Sequence, residues 1–238
     1  MNKAVLTGFH LTAFAVFSFA VYYDFMYTII PARINKLHSG YGGKFKFLTY
    51  WDAIAQALFF LICTLNDFCG TNSPSPKTRP LLRRIKDYFH ATYSFPLAMF
   101  VGVTFWALMF VDRELVLPKA IDPYFPSWLN HLMHTLIMVT TIIEMIIAPR
   151  QYPKRSRGFS GLLGVMLIYL VWMHFIYFKS GFWVYPVMEV LSLPLRIVFF
   201  LVLFAFSVVL YIAGEKFDQL LWGSAKKNIK GSNKKKSK

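Results

Sequence analysis

Six long apolar runs follow one another along the chain, and short polar segments separate them. Each run is about 20 residues long, which is the length that an α-helix needs to cross a hydrocarbon core of about 30 Å. The pattern therefore predicts an all-α, polytopic integral membrane protein with about six transmembrane helices. The runs lie near residues 4–23, 47–68, 89–111, 128–148, 161–178 and 187–214.

The two ends of the chain differ in character. The first run passes through Ser18-Phe19-Ala20, a small-residue pattern that a signal peptidase can cleave. Because the run continues to Tyr23, an uncleaved membrane anchor is expected instead. Residues 1–222 are expected to form one transmembrane domain. Residues 223–238 are rich in lysine and predict a basic, disordered cytosolic tail.

The composition favours a membrane protein over a soluble one. Apolar residues make up 56% of the chain and charged residues only 16%, which is more apolar surface than one small core can bury. The net charge of +15 lies in the segments between the runs and in the tail, a distribution that fits lipid headgroups better than nucleic acid. Cys63 and Cys69 lie in or at the end of one run, so free thiols are expected.

The basic residues also predict an orientation. If the N-terminus is cytosolic, 18 lysines and arginines lie on the cytosolic face and 7 on the opposite face, which favours both termini in the cytosol. Lys44 and Lys46, on the opposite face, are interpreted as headgroup anchors. The ending Lys-Lys-Ser-Lys at 235–238 has the form of a dilysine retrieval signal and indicates the endoplasmic reticulum. A basic tail attracted to anionic lipid is the alternative, and it leaves the plasma membrane open.

Polar residues inside two of the runs are candidates for function, because polar groups are costly in a bilayer. In the second run, those on one helical face are Thr49, Asp52, Gln56, Cys63 and Asn66. A helix-packing role explains Gln56 and Asn66 better than chemistry does. In the fourth run the polar positions are Asn130, His131, His134, Thr135, Thr141 and Glu144.

Topology places Thr49 and His134 at similar depths, because both runs begin on the lumenal face in this orientation. With a rise of about 1.5 Å per residue, they lie about 3 Å and about 9 Å inward from the starts of their runs. A threonine hydroxyl needs a base to become a nucleophile, and a neutral imidazole can serve. Such a pair can cleave an ester, with Asp52, Asn130 or His131 as the orienting group. A threonine that only packs remains the alternative.

A metal site is the competing chemistry for the histidines. His131 and His134, joined by His174 from the fifth run, can offer three imidazoles to zinc or iron. The spacing is a weak signal for such a site. We therefore expect no metal and no cofactor.

Arg196 is the remaining costly charge, about nine residues into the sixth run. It is expected to form an ion pair with Glu189, one heptad earlier on the same face, or with Glu144 of the fourth run. Alternatively, its guanidinium contacts the carboxylate of a lipid substrate.

Two segments resemble the androgen-induced gene family of membrane proteins. They read Tyr-Gly-Gly-Lys-Phe-Lys-Phe-Leu-Thr at 41–49 and Trp-Leu-Asn-His-Leu-Met-His-Thr at 128–135, and shorter matches include 181–186 and reach residue 215. The resemblance implies a threonine hydrolase that cleaves fatty acid esters of hydroxy fatty acids within the membrane. It implies Thr49 as the nucleophile and His134 as its partner. The segment before residue 41 and the tail do not share it, so it implies no substrate preference.

Two functions without this chemistry remain open. A non-catalytic lipid-binding or signalling membrane protein would use the polar stripes as helix-packing contacts. A small transporter or channel would line a path across the bilayer with them. Phe59 and Phe60 interrupt the stripe of the second run in its middle, which argues against such a path.

Overall fold

Within the residues that the structure describes, six long helices are each apolar enough to span a membrane. The computed structural model describes residues 2–34 and 40–235, with side chains as far as residue 226. The prediction of an all-α, multi-pass membrane fold is confirmed. The helices are α1 (Lys3–Tyr27), α2 (Leu48–Cys69), α3 (Leu81–Val111), α4 (Ser127–Ile147), α5 (Arg155–Ser180) and α6 (Leu193–Lys235).

The ends of two helices differ from the apolar runs. Helix α3 begins about two turns before its run, because a polar first segment is held helical by an ion pair between Arg83 and Asp87, four residues apart at 2.8 Å. Helix α6 begins at Leu193, after a separate helical turn at Val187–Val190. It then continues to Lys235, whereas the sequence predicts disorder from residue 223. An existing helix extends readily, because each added residue gains one hydrogen bond without a new nucleus. Residues 236–238 of the dilysine motif lie outside the described residues.

Close packing in the middle of the bundle joins α1 to α2. The rings of Phe17 and Phe60 stack with centroids 5.8 Å apart, and Phe59 meets Phe60 edge to face at 5.1 Å. All three side chains are fully buried. Since lipid tails are themselves apolar, such contacts hold helices together through dispersion and fit. The two phenylalanines that interrupt the polar stripe of α2 therefore belong to the core.

Gly102 lets α3 and α4 approach closely beside the candidate site. A Cβ atom at this position would lie 2.6 Å from the main-chain oxygen of His134 and 2.5 Å from the sulfur of Met138. Only a residue without a side chain fits such an approach. The glycine thus sets the spacing of the helix that carries His134.

A buried charged network ties together the opposite end of the bundle. The imidazole of His10 lies between two carboxylates, with Nδ1 2.6 Å from Asp67 and Nε2 2.8 Å from Glu144. Lys86 and Arg150 each lie 3.8 Å from Glu144. Glu144 therefore belongs to this network, and its pairing joins α1, α2 and α4. Each of the two carboxylates has at least one basic partner in this network, as buried ions require.

Candidate active site

A tight turn before α2 sets the position of Thr49. Gly42 and Gly43 have φ values of +88° and +52°, in the left-handed region that favours glycine. They lead into a short 3-10 turn, Gly43–Lys46, and α2 begins at Leu48. The two glycines of the 41–49 segment thus have a structural reason, and they place Thr49 in the first turn of a transmembrane helix.

Tryptophan and tyrosine side chains hold this turn against α2 and α5. The main-chain oxygen of Phe45 accepts hydrogen bonds from the indole N–H groups of Trp51 at 2.7 Å and Trp172 at 2.8 Å. The hydroxyl of Tyr169 lies 2.9 Å from the main-chain oxygen of Lys46. These bonds satisfy backbone groups that a membrane would otherwise leave unpaired. The approach to Thr49 is therefore fixed.

The first turn of α2 is also held from the loop before α6. The N–H group of Leu48 lies 3.1 Å from the hydroxyls of both Tyr169 and Tyr185, which are themselves 3.0 Å apart. Burial raises the pKa of Tyr185, so its phenol stays protonated. In the preceding turn, burial and the neighbouring charge of Lys44 lower the pKa of Lys46 to about 8.

Thr49 and His134 meet where α2 and α4 face each other. The Oγ1 atom of Thr49 lies 3.2 Å from Nε2 of His134, within reach of a proton transfer. His134 is buried and Thr49 is half-buried. His134 lies in a widened turn of α4, Leu132–Leu136, with the hydrogen-bond pattern of a π-helix. Such turns are frequent at functional sites because they shift side chains out of the regular helical register.

The environment of His134 selects the form of the imidazole that can act as a base. Its Nδ1 atom lies 3.0 Å from the main-chain oxygen of Asn130, which can only accept, so Nδ1 carries the proton. The lone pair of Nε2 then faces the hydroxyl of Thr49. The ring of Phe105 stacks on the imidazole at 3.6 Å and 15° and fixes its plane. The orienting group in this arrangement is a main-chain carbonyl.

Asp52 lies on the same face of α2 but is engaged elsewhere. Its Oδ1 atom accepts a hydrogen bond from Gln56 at 2.7 Å, and Gln56 also donates to the main-chain oxygen of Ser94 at 3.0 Å. Among the described residues Oδ2 of Asp52 has no hydrogen-bond partner. The carboxylate therefore contributes to the contact of α2 with α3. The side chain of Asn130 likewise leaves the orientation of His134 to its own backbone.

His131, one turn before His134, has different neighbours. Its ring stacks on Trp106 at 5.3 Å, its Nδ1 lies 3.4 Å from Oγ1 of Thr135, and the side chain is exposed. His174 contacts the main-chain oxygen of Leu170 at 2.8 Å. Among the described residues the imidazoles of His131, His134 and His174 are not brought together as a metal-binding group.

One metal-ligating group does come together in the part of the chain that the structure describes. It consists of His10, Cys63 and Glu144, whose ligand atoms lie within 4.8 Å of one another. Both ring nitrogens of His10 already face carboxylates, and two cations lie beside Glu144. These contacts fit a network of ion pairs better than a metal ion.

Arg196 forms neither of the ion pairs that the sequence predicts. Its Nε atom donates to the main-chain oxygen of Met188 at 2.8 Å, and its guanidinium lies 4.9 Å from the centre of the Trp183 ring. Glu189 instead accepts the N–H of Trp183 at 3.2 Å, and Glu144 lies in the network around His10. Arg196 is absent from the linings of both cavities beside Thr49. It therefore holds the turn before α6, and its geometry gives no support to a contact with substrate.

Two cavities of similar size meet at Thr49. The charged cavity has about 720 Å³ of empty space, and His134, Lys44 and Asp24 are among its lining residues. The apolar cavity has about 760 Å³, and its lining residues on α2, α3, α5 and α6 carry no charge. The residues that line both cavities are Thr49, Phe105, Val116 and Tyr185.

Lys44 is the functional candidate that the interpretation of headgroup anchors missed. Its ammonium is 2.8 Å from Oδ1 of Asp24 and is also hydrogen-bonded to Thr28, and the whole side chain is 18% exposed beside the charged cavity. The positions of Phe105 and Tyr185 beside Thr49 were not predicted either, because an aromatic residue within an apolar sequence does not indicate a functional site. For Tyr185 the matching segment at 181–186 was a signal.

A family model and the curated relatives of the chain point to the same family of membrane proteins. A family described as FAR-17a/AIG1-like protein matches residues 5–219. The chain is 35% identical to the androgen-induced gene 1 protein of Homo sapiens over 195 residues, which cover 79% of this chain and 82% of that protein. It is 31% identical to the androgen-dependent TFPI-regulating protein of Mesocricetus auratus over 229 residues, covering 96% and 98%. A membrane protein of Schizosaccharomyces pombe is 24% identical over 178 residues, covering 74% and 75%. No solved structure matches the chain.

Proposed function

The chain belongs to the FAR-17a/AIG1-like family, and from this premise we propose that it is an intramembrane hydrolase of carboxylic esters. The single observation that carries the proposal is the 3.2 Å contact between Oγ1 of Thr49 and Nε2 of His134. The proposed substrates are fatty acid esters of hydroxy fatty acids, as the sequence resemblance implies. Their two alkyl arms join at one ester, which fits two cavities that meet at Thr49.

In the first half of the reaction, Nε2 of His134 takes the proton of the Thr49 hydroxyl as the oxygen attacks the ester carbonyl. The tetrahedral intermediate then collapses, the bond to the alcohol oxygen breaks, and His134 gives its proton to that oxygen. The products are an acyl ester on Thr49 and a free hydroxy fatty acid. The main-chain oxygen of Asn130 accepts the hydrogen bond from Nδ1, and this bond stabilises the imidazolium that forms.

In the second half, His134 takes a proton from a water molecule, and the resulting hydroxide attacks the acyl carbonyl. The bond from Thr49 to the acyl group breaks, and the proton on Nε2 returns to the threonine oxygen. The second product is the fatty acid. The proposal needs no metal or redox cofactor, since every proton that moves is accounted for by Thr49, His134 and water.

Hydrolysis by the purified protein tests the proposal. Wild type is expected to cleave the palmitoyl ester of hydroxystearic acid, and Thr49→Ala is expected to lose this turnover while it remains folded. Thr64→Ala is the matched control, because Thr64 lies on the same helix, is buried, and donates its hydroxyl to the main-chain oxygen of Phe60 at 2.9 Å. Equal turnover by wild type and Thr49→Ala would exclude Thr49 as the nucleophile. No turnover by wild type would favour a lipid-binding function instead.

We also propose an endoplasmic reticulum location with both termini in the cytosol. The excess of basic residues on one face and the dilysine form of the C-terminus support it. Substitution of Lys235 and Lys236 by serine is expected to move the protein from the endoplasmic reticulum to the cell surface. An unchanged distribution would leave the basic tail as a lipid contact only.

A further inference from the structure

We propose that the two cavities divide the substrate at its ester bond. The apolar cavity takes the acyl chain that is transferred to Thr49, and the charged cavity takes the hydroxy fatty acid, whose carboxylate binds Lys44. The inference rests on the proposed hydrolase function and adds to it a direction of binding and a specificity-determining residue.

The position of His134 decides the direction. In the proposed reaction the imidazole must deliver its proton to the oxygen of the departing hydroxy acid, so that oxygen has to lie on the side of His134. Thr49 lines both cavities, whereas His134 lines only the charged one. The leaving group therefore occupies the charged cavity. The acyl chain, which stays on Thr49 after the first step, is left in the apolar one.

The charges of the two linings agree with this direction. A fatty acyl chain carries no charge beyond its ester carbonyl, and the residues that line the apolar cavity carry none either. A hydroxy fatty acid keeps a free carboxylate, and the charged cavity contains the ammonium of Lys44. A buried carboxylate needs a partner, since an unpaired charge is costly in an apolar site.

The contacts of Lys44 leave it able to bind an anion. An ammonium has three N–H donors, and the described partners of Lys44 are Asp24 and Thr28. One donor remains for a ligand, and the side chain is 18% exposed beside the cavity. Asp24 holds the ammonium in place but also competes with an incoming carboxylate. Lys44 thus provides a preformed anion-binding site, and the nearby carboxylate of Asp24 limits its affinity.

The carboxylate contact is tested with two substrates that differ only in charge. These are the palmitoyl ester of hydroxystearic acid and the methyl ester of that same lipid. Wild type is expected to prefer the free acid in kcat/KM by about tenfold or more, which is the effect of one charge-assisted hydrogen bond. Lys44→Met is expected to remove the preference, mainly through a higher KM for the acid, so that kcat/KM for the acid falls to the value that the same variant shows for the methyl ester.

Two further variants keep this test decisive. Asp24→Asn is expected to lower the KM for the free acid, because the competing carboxylate is gone while Lys44 remains. Lys119→Met is the control, since Lys119 is exposed in the loop between α3 and α4, lies outside the lining of both cavities, and loses the same charge. Equal loss of both substrates in Lys44→Met, with Asp24→Asn like wild type, would overturn the contact.

The direction of binding is tested by filling the apolar cavity. Leu203 lines it from α6, and Leu203→Trp is expected to abolish cleavage of palmitoyl esters while butanoyl esters of the same hydroxy acid are still cleaved. Leu201→Trp, at a 65% exposed position on the same helix, is the control and should cleave both. If Leu203→Trp is instead sensitive to the length of the hydroxy acid, the direction is reversed and the inference is wrong. If wild type cleaves no ester at all, the hydrolase proposal itself fails.

Discussion

Nε2 of His134 lies 3.2 Å from Oγ1 of Thr49, although 85 positions separate the two residues along the chain. Thr49 is the second residue of α2, and His134 lies about two turns into α4. Around this contact the protein places a main-chain acceptor behind the imidazole and an aromatic ring against its face. The pair therefore has the geometry of a nucleophile and its base before any substrate binds.

Replacing the base is expected to reduce turnover without unfolding the protein. His134→Gln removes the proton acceptor but keeps an amide of similar size, so kcat should fall by about 10²–10⁴-fold. His131→Gln is the control, because His131 is exposed and contacts Trp106 and Thr135. Turnover of both variants, corrected for the folded fraction, gives the comparison. A larger loss in His131→Gln would move the base to that residue.

Adding a side chain at Gly102 is expected to displace the segment of α4 that carries His134. In Gly102→Ala the new Cβ meets the main-chain oxygen of His134 and the sulfur of Met138, so α4 has to shift. Such overpacking costs about 1–3 kcal/mol of stability, and the shift should also lower kcat. In Gly164→Ala, on α5, the added methyl meets nothing within 4 Å, and both properties should be kept. Thermal unfolding and turnover of the two variants check this, and equal behaviour would contradict it.

The network at the far end is expected to govern stability and not chemistry. His10→Ala leaves the carboxylates of Asp67 and Glu144 buried without the imidazole between them, which should cost about 3–5 kcal/mol. Adding Asp67→Asn removes one of these charges and should recover part of the loss. Unfolding in detergent measures both variants. A single His10→Ala variant as stable as wild type would show that the ion pairs contribute little.

Stability is expected to rise with pH between about 8 and 10.5 through Lys46. Its pKa is lowered from 10.5 to about 8 in the folded protein, first by burial and then by Lys44. In this window the unfolded chain binds more protons at this position than the folded one, so raising the pH favours the folded state. Thermal unfolding of wild type at pH 8 and pH 10 should show a larger gain than that of Lys46→Gln. Equal gains in the two proteins would assign the effect to other groups.

The number of membrane-spanning helices and the length of their apolar stretches followed from the sequence, because a bilayer of fixed thickness requires about 20 apolar residues for each crossing. The common depth of Thr49 and His134 followed as well, since rise per residue and the order of crossings fix it. The ends of α3 and α6 did not, because polar turns continue a helix outside the apolar run. An apolar run reports where the membrane lies and not where the helix stops.

Tertiary structure alone decided which polar residues meet. Periodicity gives the face of a helix but not the neighbour opposite that face, so it did not show which partners Asp52 and Glu144 would have. In the folded protein Asp52 contacts Gln56, and Glu144 contacts His10. Thr49, which lines both cavities, contacts His134. The orienting carbonyl of Asn130 and the exposure of Lys44 also depend on this packing. The residue types in a sequence do not show which backbone group will face a side chain or where a cavity will form.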